Sequence, residues 1–223
     1  MKNILYLFLT VLLFSCGDFE YVRFETAQPD GVKESGSFSR RVQGEYINCL
    51  STDDRLKISD KVILNSRTFK FKSHRSDLEF DSTSTVNRES DIELTRLFKS
   101  EGYEIEIRGD SIYASHTDVD TIFQISENQI LKKFKSSYFL NFKEHETFWI
   151  VKRLNLIKDT LLIGHITPSD TLLQFDFVVK NEDYNESDST TITEYSINPS
   201  KREFKELMKQ NSFKEGECYY KMK

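Results

Sequence analysis

Alanine is almost missing from this 223-residue chain: Ala27 and Ala114 are the only two. Alanine is the strongest helix former, so a helical bundle is a poor fit. Glycine (8) and proline (3) are scarce as well. That leaves little room for a glycine-rich phosphate loop and argues against low-complexity or collagen-like structure. A single Trp, three Met and three Cys add no disulfide-dense scaffold. A basic excess is lacking too: net charge is −5 and pI ≈ 5.5, so no basic footprint points to nucleic acid. What the chain has in quantity is aromatic side chains, 18 Phe and 10 Tyr. Aromatic and β-branched residues suit the pleated surface of a sheet.

The one long apolar run is short of a membrane span. It runs from Ile4 to Phe14, after Lys2, and ends in Leu13-Phe14-Ser15-Cys16. Crossing a bilayer takes about 20 apolar residues, and Asp18 and Glu20 follow close behind. A basic start, a short apolar stretch and a small residue describe a secretory signal. With Cys16 directly after Ser15, the stretch resembles the lipobox of bacterial lipoproteins, although Phe14 is bulkier than usual there. The resemblance implies a signal peptide over 1–15, cleavage before Cys16, and acylation (palmitate among the chains) at Cys16. Several acyl chains together anchor firmly where one alone is marginal. Asp18 and Glu20 weakly resemble the acidic signals that route some lipoproteins to the cell surface. The expected location is therefore the outer membrane, on its periplasmic face or at the surface.

The mature chain of about 208 residues is long enough for a substantial core. Residues 16–42 are dense in turn formers, among them Gln28-Pro29-Asp30-Gly31 and Glu34-Ser35-Gly36, and read as a tether. Phe19, Tyr21, Val22 and Phe24 could instead supply a first strand. Residues 43–223 are expected to form a single β-rich domain. Leu56–Ile58 and Val62–Leu64 flank Ser59-Asp60-Lys61 as a hairpin, and Phe69 and Phe71 alternate with lysines. Ser90-Asp91-Ile92-Glu93 has the spacing of a capping box, predicting a helix over 91–101 stopped by Gly102. Tyr103, Ile105 and Ile107 alternate with charges up to the turn at Gly109-Asp110. Further strands are expected at 118–125, 129–142, 147–157, 160–166, 171–179 and 190–197. Asn198-Pro199 is expected to cap a second helix, with a last strand from Cys218 to Met222. The sum is a mainly β fold (β-rich α+β): an antiparallel meander forming a barrel or sandwich, with one or two short helices.

Cys49 and Cys218 remain after Cys16. Export permits a disulfide between them, with two buried free thiols as the alternative. The triplet Asp-Ser/Thr-Ile/Leu recurs at Ser111, Thr121, Thr160 and Thr171. Its first meaning is a turn: the Asp bonds its own backbone and the next residues enter a strand. It also resembles an O-glycosylation motif of exported proteins in some Gram-negative bacteria, which makes those four residues candidate glycan sites.

A catalytic constellation is not visible. His74, His116, His145 and His165 are scattered, no nucleophile elbow occurs, and Glu144-His145-Glu146 fits a solvated turn better than a metal site. Neither a metal nor a cofactor is expected. Arg108-Gly109-Asp110 reads as a hairpin turn, and Lys132-Lys133-Phe134-Lys135 as a solvated strand edge. Phe148–Val151 and Leu161–Ile163 are apolar on both faces and must be covered on both sides. Lys152, Arg153 and His165 could rim a pocket beside them, although core packing alone explains the pattern. Between Asp118 and Asp176, the runs Asp-Thr-Ile-Phe, Lys-Phe-Lys-Ser-Ser-Tyr-Phe-Leu-Asn-Phe and Phe-Trp-Ile-Val resemble a group of small exported bacterial lipoproteins. That resemblance implies an address and no site residues. The expected function is a non-enzymatic binding or interaction module of the envelope with a protein or glycan partner. A lipocalin-like carrier of an apolar molecule and a toxin-immunity lipoprotein are the alternatives.

Overall fold

A computed structural model describes residues 19–74, 91–144, 147–185, 190–210 and 212–222. Cys16, the signal stretch, Ser90, His145 and Glu146 lie outside the described residues. In chain order the strands begin with β1 (Phe19–Phe24), β2 (Gly44–Asn48), β3 (Asp54–Ile58) and β4 (Val62–His74). After helix α1 (Asp91–Ser100) come β5 (Glu104–Arg108), β6 (Ser111–Gln124), β7 (Gln129–Phe134), β8 (Ser137–Glu144), β9 (Phe148–Ile157) and β10 (Thr160–Ile166). The rest is helix α2 (Asp170–Leu173), β11 (Val178–Asn185), β12 (Thr190–Ile197), helix α3 (Lys201–Lys209) and β13 (Phe213–Lys221). The fold is mainly β, as the composition predicts.

The chain divides into two compact units: residues 1–37 with 125–217, and residues 38–124 with 218–223. In the first unit the sheet runs β11-β12-β1-β9-β10-β13, and β8, carrying β7, pairs the other side of β9. In the second it runs β13-β2-β3-β4-β6-β5, with β13 contributing from Cys218 onward. Among the described residues neither run closes on itself, so of the two expected forms, barrel or sandwich, the barrel does not form. The expected antiparallel meander is joined by a parallel pair, which makes the sheet mixed: β1 lies parallel to β12, Phe19 opposite Ile192 and Phe24 opposite Ile197. A parallel partner needs a long crossover, and here the two strands are more than 160 residues apart in sequence.

The tether reading also changes. From Phe19 the chain is already in a strand, and the segment after it is docked by polar contacts. Asn141 and Gln28 are both fully buried. Gln28 N donates to Asn141 Oδ1 (2.6 Å), and Asn141 Nδ2 donates to Gln28 O (2.9 Å), Ile130 O (3.1 Å) and Phe139 O (3.2 Å). Lys132, 8% exposed, donates to Ala27 O (2.8 Å) and Pro29 O (3.2 Å). Burial pushes its ammonium below the ordinary lysine range, with Asp30 and Glu34 opposing. Such buried groups persist only where their partners are met, so the segment is held in one position.

One face of the first sheet is covered by α3. Phe24, Phe139, Val151, Ile197, Phe204 and Phe213 form its core, with Trp149 packed against them. Phe204 meets Phe139 edge-on at 5.0 Å and Phe213 at 5.8 Å, and such pairs add about 0.5–1.5 kcal/mol each beyond burial. The N-cap of α3 is Ser200, not the expected Asn198. Ser200 Oγ and the Glu203 carboxylate close a capping box, which leaves Pro199 buried ahead of it.

Two expected strands are replaced. Residues 129–142 are a hairpin, β7 and β8, turning at Lys135 (φ +53°) and Ser136. Residues 171–177 are not extended: Ser169 caps α2, and the Phe175 and Phe177 rings stack at 4.9 Å. In the second unit α1 ends at Gly102 (φ +82°) as expected. Its Phe98 packs with Phe71 and Tyr103 at the far end of the β4–β6 ribbon. Cys49 and Cys218 form a disulfide, Cα to Cα 5.4 Å, next to the backbone bond from Cys49 N to Cys218 O (2.9 Å).

Candidate functional site

Strand β9 changes partners partway along its length, and that exchange opens a cleft. Its C-terminal part pairs β10 as far as His165 opposite Lys152. At Trp149 the partner is Phe24 of β1 instead. β1 and β10 both run antiparallel to β9, and the fork between them holds about 380 Å³. Phe24, Ile150, Val151 and Ile166 supply apolar walls; Arg23, Glu144, Lys152, His165, Thr167 and Glu217 supply polar groups. This is the alternation rule at work on a strand apolar on both faces. Trp149 and Val151 turn to the core under α3, and Ile150 and Lys152 turn to the other side.

The charges are arranged in pairs. Arg23 Nε lies 2.9 Å from Glu144 Oε2 and Arg23 Nη1 2.5 Å from Glu194 Oε2, with the guanidinium 5.7 Å from the Phe148 ring centre. With two carboxylates on one planar cation, Arg23 is a neutralised wall of the cleft and a brace between β1, β8 and β12. Lys152, its ammonium 5.9 Å from the Phe142 ring centre, stands beside His165 across the strand pair. Thr167 Oγ1 is buried and has no hydrogen-bond partner among the described residues. A hydroxyl without a base bound to it is not an activated nucleophile. It is a polar atom that a ligand can satisfy, and such atoms orient ligands in otherwise apolar clefts.

Of the residues singled out from sequence, Lys152 and His165 meet in the cleft while Arg153 does not. Its side chain turns to the other face, where Nε donates to Ser137 Oγ (3.0 Å). Ser111 and Thr160 each open a strand directly after a tight turn, at Gly109-Asp110 and at Lys158-Asp159, and both are half-buried. Thr121 is exposed but sits inside β6 opposite Leu64, just before a bulge at Ile122, so its turn reading is corrected. Thr171 lies in α2, also outside a hairpin turn. Arg108-Gly109-Asp110 is a hairpin turn with Gly109 at φ +58°, and Arg108 is engaged by the Glu106 carboxylate at 2.7 Å. Among the described residues, no three His, Cys, Asp or Glu side chains come together as a metal-binding group. Arg23 and Glu194 were missed. Arg23 sat in a stretch read as tether, and nothing in a sequence shows that β1 inserts beside β12.

No protein-family model matches the chain, and no curated protein and no solved structure is similar to it.

Proposed function

We propose that this chain is an exported, lipid-anchored module of the outer membrane that binds an envelope protein or glycan, without chemistry of its own. The observation that carries the binding role is the fork beside β9: apolar walls, a paired-charge rim, and a buried hydroxyl with no hydrogen-bond partner among the described residues. The Cys49–Cys218 disulfide supports export, because such bonds persist in oxidising compartments. The Leu13–Cys16 run supports an acylated Cys16. A lipocalin-like carrier has less support, since it needs a closed barrel and the strand order among the described residues does not return on itself. The test is affinity capture of the acylated protein from native envelope, compared with Lys152→Glu, which reverses charge at the cleft without touching the core. A stoichiometric partner captured by the wild type and lost or reduced at least about tenfold in the variant, a change of about 1.4 kcal/mol, is the expected result. Equal capture by both would remove the cleft from the interaction.

A further inference from the structure

A second surface of the first unit has a different character. The tip of the β7–β8 hairpin and the first turns of α3 enclose an open bowl of about 580 Å³, lined by Phe134, Lys135, Lys201, Arg202 and Lys205. Half-buried Phe134 is its floor. The ammonium groups of Lys135 and Lys201 stand 5.9 and 5.8 Å from its ring centre. Four cations thus line a bowl floored by one aromatic ring, two of them over the ring itself, in a protein whose net charge is −5. None of the four makes an ion pair among the described residues. The nearby carboxylates bond elsewhere, Glu203 in the Ser200 cap and Glu206 to Lys209 at 2.8 Å, and act on the bowl only through space, Glu203 on Arg202 and Glu206 on Lys205 and Lys135.

These cations occupy positions that local physics disfavours. Lys201 and Arg202 are the first two residues after the N-cap, where the helix dipole repels positive charge. Lys205 lies four residues from Lys201 and three from Arg202, spacings at which like charges repel. Lys135 holds φ +53° at the first loop position of a two-residue hairpin, where glycine is favoured. Four cations gathered at such positions on an acidic chain suit an anionic partner.

We infer that this bowl docks on the phosphate-bearing head groups of an anionic bilayer, with Phe134 and the lysine stems at the acyl boundary and the ammonium groups reaching the phosphates. The choice of a bilayer rests on the lipid-anchor reading. Only two residues separate Cys16 from β1, and three residues reach at most about 11 Å. The first unit is therefore held at the head groups, where local concentration favours even weak contacts. Lysine stems lying along an apolar floor suit that boundary.

The experiment uses the full acylated protein on vesicles of phosphatidylcholine alone or mixed with phosphatidylglycerol. The readout is amine acylation at Lys135, Lys201 and Lys205, followed by mass spectrometry. On the anionic vesicles the three should label severalfold more slowly than on neutral ones, and the difference should vanish at high salt. Each basic residue contributes about fivefold at such a surface. The double variant Lys201→Gln, Lys205→Gln should therefore lower docking about 25-fold and let Lys135 label as it does on neutral vesicles. It also relieves repulsion within α3, so the fold is expected to persist. Equal labelling on both vesicle types overturns the inference. So does protection that appears only when envelope protein is added, which would assign the bowl to an acidic protein. A protein that fails to sediment with neutral vesicles would instead report failure of the anchor, and is thereby distinguished.

Discussion

Replacing Asn141 tests how the chain after β1 is held to the first sheet. The amide is fully buried, accepts from Gln28 N and donates to the carbonyls of Gln28, Ile130 and Phe139. Asn141→Ala strands the N–H and C=O of Gln28, itself fully buried. A buried polar group left unsatisfied costs about 1–3 kcal/mol, so the two together with a small cavity should cost about 3–5 kcal/mol. With a urea m-value near 2 kcal/mol/M, the midpoint for the first unit should fall by about 2 M, followed by Trp149 fluorescence. Asn141→Asp sharpens the test. It keeps the acceptor for Gln28 N but places an oxygen where Nδ2 met three carbonyl oxygens. That carboxyl is stable only when protonated, so its folded-state pKa lies above the unfolded value. Stability present below the unfolded pKa is then lost as pH rises through the folded one. At neutral pH Asp should be at least as damaging as Ala. A midpoint shift below about 0.3 M for Ala, or an Asp variant milder than Ala at neutral pH, would refute the reasoning.

Three further outcomes follow from the geometry. Reducing the Cys49–Cys218 bond, whose residues are 169 apart in sequence, should destabilise the second unit by up to about 5 kcal/mol in the chain-entropy account. Chemical denaturation with and without reductant measures it, and coincident curves would contradict it. His116 Nδ1 lies 2.9 Å from Gly102 O and Nε2 2.7 Å from Asp118 Oδ1. Both partners only accept, so the protonated ring is the form that satisfies both contacts, and the Gly102 carbonyl first, then Asp118, raises the histidine above its ordinary value. A raised folded pKa gives stability that is complete below the unfolded pKa and lost as pH rises through the folded one. The α1–β5 turn should therefore exchange its amides faster at pH 8 than at pH 5.5 beyond the intrinsic rate. Asp118→Asn should lower the His116 NMR midpoint; an unchanged midpoint would exclude the pair.

Much of the sheet was legible because its signals are local. Tyr103, Ile105 and Ile107 alternate with charges in β5, and Ser59 closes the turn between β3 and β4 through its bond to Val62 O. Gly102 stops α1 as the missing side chain allows. Misreadings arose where a local pattern had two meanings. Leu173, Phe175, Phe177 and Val179 keep strand spacing, yet Ser169 starts a helical turn there and the two rings stack on each other. The β7–β8 turn was hidden because Lys135 stands where Gly or Asn would announce it. The cleft was half-visible. Lys152 and His165 are close in sequence through the β9–β10 hairpin, and the doubly apolar Phe148–Val151 run marked a strand covered on both faces. Arg23 and Glu194 were not, because the parallel β1–β12 pairing is nonlocal and leaves no period in either segment. The basic bowl had the same fate: Lys132–Lys135 read as a strand edge until α3 brought Lys201 and Lys205 to it.

The central claim, an exported module held at the membrane by its own N-terminus, is tested most directly by the mass of the N-terminal peptide of the native protein. The account predicts a peptide beginning at Cys16 and carrying acyl chains, together with release of the protein from membranes in Cys16→Ala. A peptide retaining Met1–Ser15, or a Cys16 without lipid, would contradict it.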